Sequence, residues 1–396
     1  MLKIRLKLSR LLMPVLLGIA GLALSACDVP MTGGSSAQVD PTKPVVVALM
    51  VPYDSGKPLN DQLAENLVNA ARMAQSDLQG VAIDLRVYNT GADPARASAE
   101  ATRAIAEGAQ IIIGPLFSGA TSAVGAVAAP EGINVLSFSN NEAIAGDNVY
   151  IMGVNFRNIA TRLFSYSLGT GVSNIGVVYP AGAEGEAGRA AAEYAARQTG
   201  ATLAAAASYP LSMEGLSEAA PEIAGIMADN RVQGILFTDT PTRGLPFIAA
   251  ALGSEGITRR NTQFMGLARW DTSTELLNQP SMQGGLFAVP DPALTAQFDE
   301  RYLARHGVEP HNLAAIAYDA VAAVGALIKT AQAEGTTDTF SRERLTNPNG
   351  FIGVNGIFRF TPDGMNERGL AVLKVDKGDA VVVDPAPRSF GGSFGY

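Results

Sequence analysis

Residues 45–51 (VVVALMV) form an unbroken apolar run, the pattern of a strand covered on both faces. From about residue 60 the pattern changes period: Leu63, Leu67, Ala70, Ala71 and Ala74 recur at helical spacing up to Asp77. The two periods then alternate. Strands are expected at 82–88, 111–114 and 134–138, with helices at 93–107 and 119–129 between them. The second helix is signalled by Asp93-Pro94, an N-cap residue followed by proline at the first helical position. A βαβαβαβ order implies a parallel, doubly wound sheet with right-handed crossovers.

The rhythm then restarts. Helices are predicted at 155–168, 186–198, 216–229 and 245–252, and strands at 174–179, 203–209, 234–238 and 263–266. Two long helices follow at 293–306 and 312–334. The end changes character: 356–360 and 370–375, separated by Thr361-Pro362-Asp363-Gly364, are predicted to pair as an antiparallel hairpin. No sequence repeat links the two halves. About 350 residues exceed what one hydrophobic core usually holds, so two lobes are expected.

The first 27 residues stand apart. Lys3, Arg5, Lys7 and Arg10 precede an apolar run at 11–24 that is too short to span a bilayer and has the make-up of a signal peptide. Leu24-Ser25-Ala26-Cys27 resembles the lipobox of bacterial lipoproteins, which implies acylation of Cys27, the only cysteine in the chain. With that cysteine lipidated, no disulfide forms in the mature protein. Residues 28–43, rich in Gly, Ser and Pro, suit a flexible tether. The expected location is the cell envelope, lipid-anchored and facing the periplasm, with Asp28 leaning toward the inner membrane by analogy with enterobacterial sorting.

The formal net charge is −8, and loss of the four basic signal residues lowers it to −12. Nucleic acid is not an expected partner. Catalytic signals are thin. His306 and His311 are the only histidines, no GxSxG or P-loop occurs, and no His/Cys spacing suits a metal. Neither an enzymatic role nor a cofactor or metal is expected.

Taken together, the two α/β lobes, Gly114-Pro115-Leu116-Phe117-Ser118-Gly119-Ala120-Thr121, Val135 to Asn140 (VLSFSN) and Ala317-Tyr318-Asp319-Ala320 resemble the type I periplasmic-binding fold, in its leucine/isoleucine/valine-binding group. The resemblance covers about residues 44–388 and implies two parallel-sheet lobes joined by three crossings. The lobes are expected at 44–163 with 286–334 and at 164–285 with 335–388, leaving 389–396 as a tail. Crossings are expected near 155–168, 280–289 and 334–341. A narrower resemblance is to penicillin-binding protein activators, carried by Arg269-Trp270-Asp271, residues 284–292 (GGLFAVPDP) and residues 350–360 (GFIGVNGIFRF). It implies a regulator that docks on a peptidoglycan synthase. The alternative is the substrate-binding lipoprotein of an ABC importer, serving a permease, for an amino acid or a small anion.

Ligands in open α/β sheets sit beyond the carboxyl ends of the strands. The loops there supply Tyr53, Ser118, Gly119, Thr121, Ser139, Asn140, Asp239 and Arg269 as candidate ligand residues. Gly119 and Thr121 open a helix whose N–H groups suit a carboxylate. The same residue types cap helices and make turns, so both uses stand open. Amino-acid binders of this group hold the ligand ammonium with an acid after the strand at 263–266. Here Gly266-Leu267-Ala268-Arg269-Trp270 stands there, and AGAEGE at 181–186 replaces a customary tyrosine. These departures count against a free amino acid. They leave an anion on Arg269, or no small ligand. Trp270, the sole tryptophan, is open to a packing or a cleft role.

Overall fold

The computed structural model describes residues 38–390; the signal segment, Cys27, Asp28, most of the tether and residues 391–396 lie outside them. The chain opens with β1 (Val45–Val51), α1 (Pro58–Asp77), β2 (Ile83–Asn89), α2 (Pro94–Ala106), β3 (Ile111–Ile113), α3 (Ser118–Ala128), β4 (Val135–Ser137) and β5 (Val149–Ile151). Its five strands pair in parallel in the order β2-β1-β3-β4-β5. The Asp93 side chain accepts from the Arg96 N–H at 2.8 Å, the cap expected from the sequence. Gly114 has a φ of +83° and leaves no room for a Cβ beside the Met50 carbonyl, so only glycine fits where the chain leaves β3.

The second series is α4 (Phe156–Gly169), β6 (Asn174–Pro180), α5 (Ala183–Thr199), β7 (Thr202–Tyr209), α6 (Met213–Asp229), β8 (Gly234–Phe237), α7 (Leu245–Ser254), β9 (Gln263–Gly266), α8 (Thr274–Asn278) and β10 (Leu286–Val289). Then come α9 (Pro292–His306), α10 (Ala314–Glu334), α11 (Arg342–Leu345), β11 (Phe351–Gly353), β12 (Gly356–Phe360), β13 (Asn366–Arg368), β14 (Ala371–Asp376) and β15 (Asp379–Asp384). The second sheet runs β15-β14-β10-β9-β8-β6-β7, parallel except for β14 and β15. The protein is thus two α/β lobes built on parallel sheets.

Each sheet is covered on both faces. In the first lobe α1 and α10 share a core with Leu49, Ile113 and Leu136, while Ala97, Ala101 and Val124 of α2 and α3 cover the other face. In the second, α6 and α7 cover one face and α4 and α5 the other. α10 is long and apolar enough to cross a membrane, but most of it is buried in the first core.

Three corrections concern the end of the chain. β12 does not pair with residues 370–375. It lies between β11 and β13, and the Thr361–Gly364 turn returns it to β13. Phe351, Phe358 and Phe360 are buried in the first core, with Phe360 5.3 Å from the Tyr150 ring. Residues 335–368 therefore belong to the first lobe rather than the second, and no crossing falls at 334–341, because Phe340, Leu345 and the three aromatic side chains find their burial there. β10, expected with the first lobe, pairs with β9 in the second sheet. The chain crosses between lobes at 152–155, 290–291 and 369–370.

Buried polar contacts tie these crossings together. Arg368 Nε and Nη2 donate to the Met152 carbonyl at 3.1 and 2.9 Å, and Nη1 pairs with Asp319 at 3.2 Å. Asn366 Nδ2 donates to the Ile151 and Gly153 carbonyls at 2.7 and 2.9 Å. Asp319 is fully buried, and burial raises its carboxyl against the opposing pull of Arg368.

Candidate functional site

In the first lobe the loops after β3 and β4 bring Ser118, Gly119, Thr121, Ser139 and Asn140 into one neighbourhood. Thr121 and Ser137 are both fully buried, and their hydroxyls share a 2.8 Å hydrogen bond. Ser137 also donates to the Pro115 carbonyl at 3.0 Å and accepts from the Ser139 N–H at 3.1 Å. Thr121 was a candidate ligand residue; its hydroxyl instead closes this network beneath the loop. Ser139 is buried, with its hydroxyl accepting from the Asn141 N–H at 3.1 Å. Gly119 and Asn140 are exposed and Ser118 half-buried.

α3 has no side-chain cap. Its N-cap position is Phe117, and the first intrahelical bond runs from the Thr121 N–H to the Phe117 carbonyl. The N–H groups of residues 118–120 thus lack intrahelical acceptors, where the helix dipole is positive. An acceptor-bearing or anionic group is the natural complement of this end. Tyr53 follows β1, half-buried against the first core. Burial raises its phenol. Beside it, Asp61 accepts from the Asp54 N–H at 2.7 Å and fixes the loop.

The second lobe is organised differently. Asp239 is fully buried and accepts from the Tyr209 hydroxyl at 2.7 Å and from the Thr240 and Gly244 N–H groups at 2.7 and 3.0 Å. Arg243 Nε adds a fourth bond at 2.5 Å, and its Nη1 reaches Glu184 at 2.8 Å. The carboxylate proposed from the sequence as a ligand group is consumed by its own loop. Burial, together with Asp239, drives the Tyr209 phenol far above its ordinary range. Arg269 grips Asp271 with two bonds, at 3.0 and 2.6 Å, which raises its pKa despite burial. The sequence left open an anionic ligand on Arg269 or none, and the protein already supplies that guanidinium with one carboxylate. At the start of α5, Glu184 and Glu186 make the helix end acidic.

Trp270 is fully buried, 6.0 Å from Phe287, and Gly266 and Gly285 leave room for its ring. That settles its role as packing. Arg243 and Glu184 were not singled out from the sequence, and Asp319 stood there only within a stretch that carried the resemblance. Only the i,i+4 spacing of Asp239 and Arg243 hinted at their pairing, since Glu184 lies 59 residues away. Among the described residues no group of His, Cys, Asp and Glu could hold a metal ion.

A search of curated protein sequences finds no significant match. Solved structures match well in shape. A putative branched-chain amino acid ABC transporter protein from Rhodospirillum rubrum superposes with a TM-score of 0.70 at 19% identity, covering 86% of this chain and 100% of its own. An ABC transporter substrate-binding protein from Desulfitobacterium hafniense in complex with Leu gives 0.61 at 21%, covering 86% and 100%. A solute-binding protein from R. palustris in complex with benzoate gives 0.55 at 17%, covering 88% and 97%. These identities establish the fold. The profile described as periplasmic binding protein matches residues 45–380. A non-catalytic, two-lobed binding fold of the periplasm accounts for both lobes and their crossings: the chain belongs to the periplasmic binding protein family.

Proposed function

We propose that this protein is the solute-binding component of an ABC importer, tethered through a lipid on Cys27. It holds a small carboxylate-bearing solute in the cleft between the lobes. The observation that carries the reading is the uncapped start of α3, where the N–H groups of residues 118–120 have no intrahelical acceptor. Leu and benzoate, named with two of the similar structures, share a carboxylate. The ammonium is where this chain departs. Asp239 and Asp271 are both engaged by arginines of their own loops, so neither is free for a ligand ammonium buried against the second lobe. An organic acid without an amine is the better match.

The same closed loops favour one other reading, a regulator of a peptidoglycan synthase of the penicillin-binding protein activator kind, in which no solute is needed. Thermal unfolding of the full chain against amino acids, small organic acids and muropeptides tests the choice. An organic acid at a hundredfold its dissociation constant adds about 2.7 kcal/mol, and Asn140→Ala weakens it about tenfold. A flat panel, with capture of a cell-wall synthase by the full chain, replaces the importer reading with the regulator.

A further inference from the structure

We infer that the crease on the outer side of the hinge is a second binding site, for a small, singly charged, ring-bearing organic anion. A cavity of about 670 Å³ lies between α4, α5, the three-stranded sheet and residues 383–390, and its lining contains none of Ser118, Gly119, Ser139, Asn140, Asp239 and Arg269. Its size falls within the 300–1,000 Å³ usual for small-molecule sites, by the general order of about those values.

Flat surfaces dominate its walls. The Arg157 guanidinium lies 4.8 Å over the Tyr194 ring, and that of Arg359 lies 4.6 Å over Phe390. Tyr166, Pro385 and Pro387 continue the lining. Such surfaces receive a ring by stacking and offer little to a flexible aliphatic chain.

The charge of the walls selects the sign. Arg157, Arg162, Arg359 and Arg368 face two carboxylates within the lining, Glu367 and Asp384. Glu367 is bound by Arg359, and Asp384 by Arg162 at 2.6 Å. The other two arginines draw on carboxylates outside the lining, Glu142 and Asp319. Arg157 meets Glu142 through Nε at 2.5 Å. A guanidinium has five N–H donors in a planar fork, more than one carboxylate consumes. Arg162 commits Nε to the Leu370 carbonyl and Nη2 to Asp384, which leaves Nη1. Two arginines of α4 that line the cavity therefore have N–H groups to give a carboxylate. The nearby acids would repel a second negative charge.

The walls belong to different lobes. Arg157 and Arg162 stand on α4 of the second lobe, while Arg359, Glu367 and Arg368 stand on the sheet packed in the first core. Glu142 follows β4, so its ion pair with Arg157 spans the hinge. A ligand touching both walls binds open and closed arrangements differently, and by that difference alone it biases the cleft.

Calorimetric titration of the full chain with benzoate tests this, with benzamide as the uncharged isostere and acetate as the ringless acid. Benzoate should bind, with both controls at least about tenfold weaker. Arg157→Gln and Tyr194→Leu should each weaken benzoate by about tenfold or more. Glu142→Gln removes the competitor for Arg157 and should tighten benzoate, a gain that a misfolded variant cannot imitate. No binding at millimolar benzoate in either the wild type or Glu142→Gln overturns the inference. So does binding that survives Arg157→Gln and is lost in Asn140→Ala, which places benzoate in the cleft. A flat response of the cleft to the solute panel, with benzoate still lost in Arg157→Gln, leaves this site standing and removes the importer reading alone.

Discussion

The two lobes close their strand-end loops by different chemistry. In the first, neutral hydroxyls do it: Thr121, Ser137 and the Pro115 carbonyl form a buried network with no charge in it. In the second, charges do it: Asp239 gathers Tyr209, Arg243 and two backbone N–H groups, and Arg269 takes Asp271. A loop built on hydroxyls leaves the field of a nearby helix end unopposed, so the start of α3 keeps its pull on an anion. A loop whose charges are already paired offers a ligand little net field. Ligand selectivity on this reading resides in the first lobe, and the second serves mainly as a wall.

The largest effect should come from breaking the charged closure. Asp239→Ala strands the Tyr209 hydroxyl and the Gly244 N–H in a buried place and leaves Arg243 with Glu184 alone. The expected loss is about 2–4 kcal/mol in urea unfolding, at about 1–3 kcal/mol for each buried donor left without an acceptor. A loss below about 1 kcal/mol, the scale of exposed pairs, would mean that the charges are solvated and the contrast between lobes is not real. Thr121→Val should cost less, about 1–2 kcal/mol, because it removes one neutral hydrogen bond while keeping the shape. Since its hydroxyl faces the loop interior, solute affinity should move much less than in Asn140→Ala. A comparable fall in affinity would return Thr121 to the ligand's contacts.

How much of this was legible follows from the range of the interactions. β1 and β9 fall where their apolar runs put them, and α2 begins at the Asp93-Pro94 signal, because these are local preferences. β5 and β10 are three- and four-residue strands with no period of their own, and they exist by pairing with longer neighbours. The Thr361–Gly364 turn was visible, but not its partner strand. Turn chemistry specifies that the chain reverses, while the burial of Phe358 against Phe351 decides which strands meet. At the site, the residue types were readable and their occupancy was not. Whether Asp239 awaits a ligand depends on Tyr209, 30 residues away, and Arg269 looked free until Asp271 was seen to face it. That Asp319 and Arg368, 49 residues apart, pair at the hinge had no local signal.

The smallest effect separates the lobes by pH. Both histidines sit in the first lobe, at the end of α9 and in the α9–α10 connection. Burial lowers His306, helped by Arg305 and opposed by Glu65, and burial lowers His311. His311 Nδ1 accepts from the Leu313 N–H at 3.1 Å, a bond that exists only while that nitrogen is unprotonated. With folded pKa values below the ordinary 6.5, the unfolded chain binds more protons as pH falls through 6.5. Their contribution is complete above 6.5 and is lost on acidification toward the folded values. Glu142 and Asp299, raised by burial, act in the opposite direction at the acid end. Trp270 reports the second lobe alone, and hydrogen exchange along α10 reports the first. Between about pH 7 and pH 5, across the ordinary titration range of histidine, exchange in α10 should quicken while the Trp270 transition holds. His311→Gln should remove part of the first effect. If both probes fall together by the same amount, the lobes unfold as one unit, and their different loop chemistry has no counterpart in independent stability.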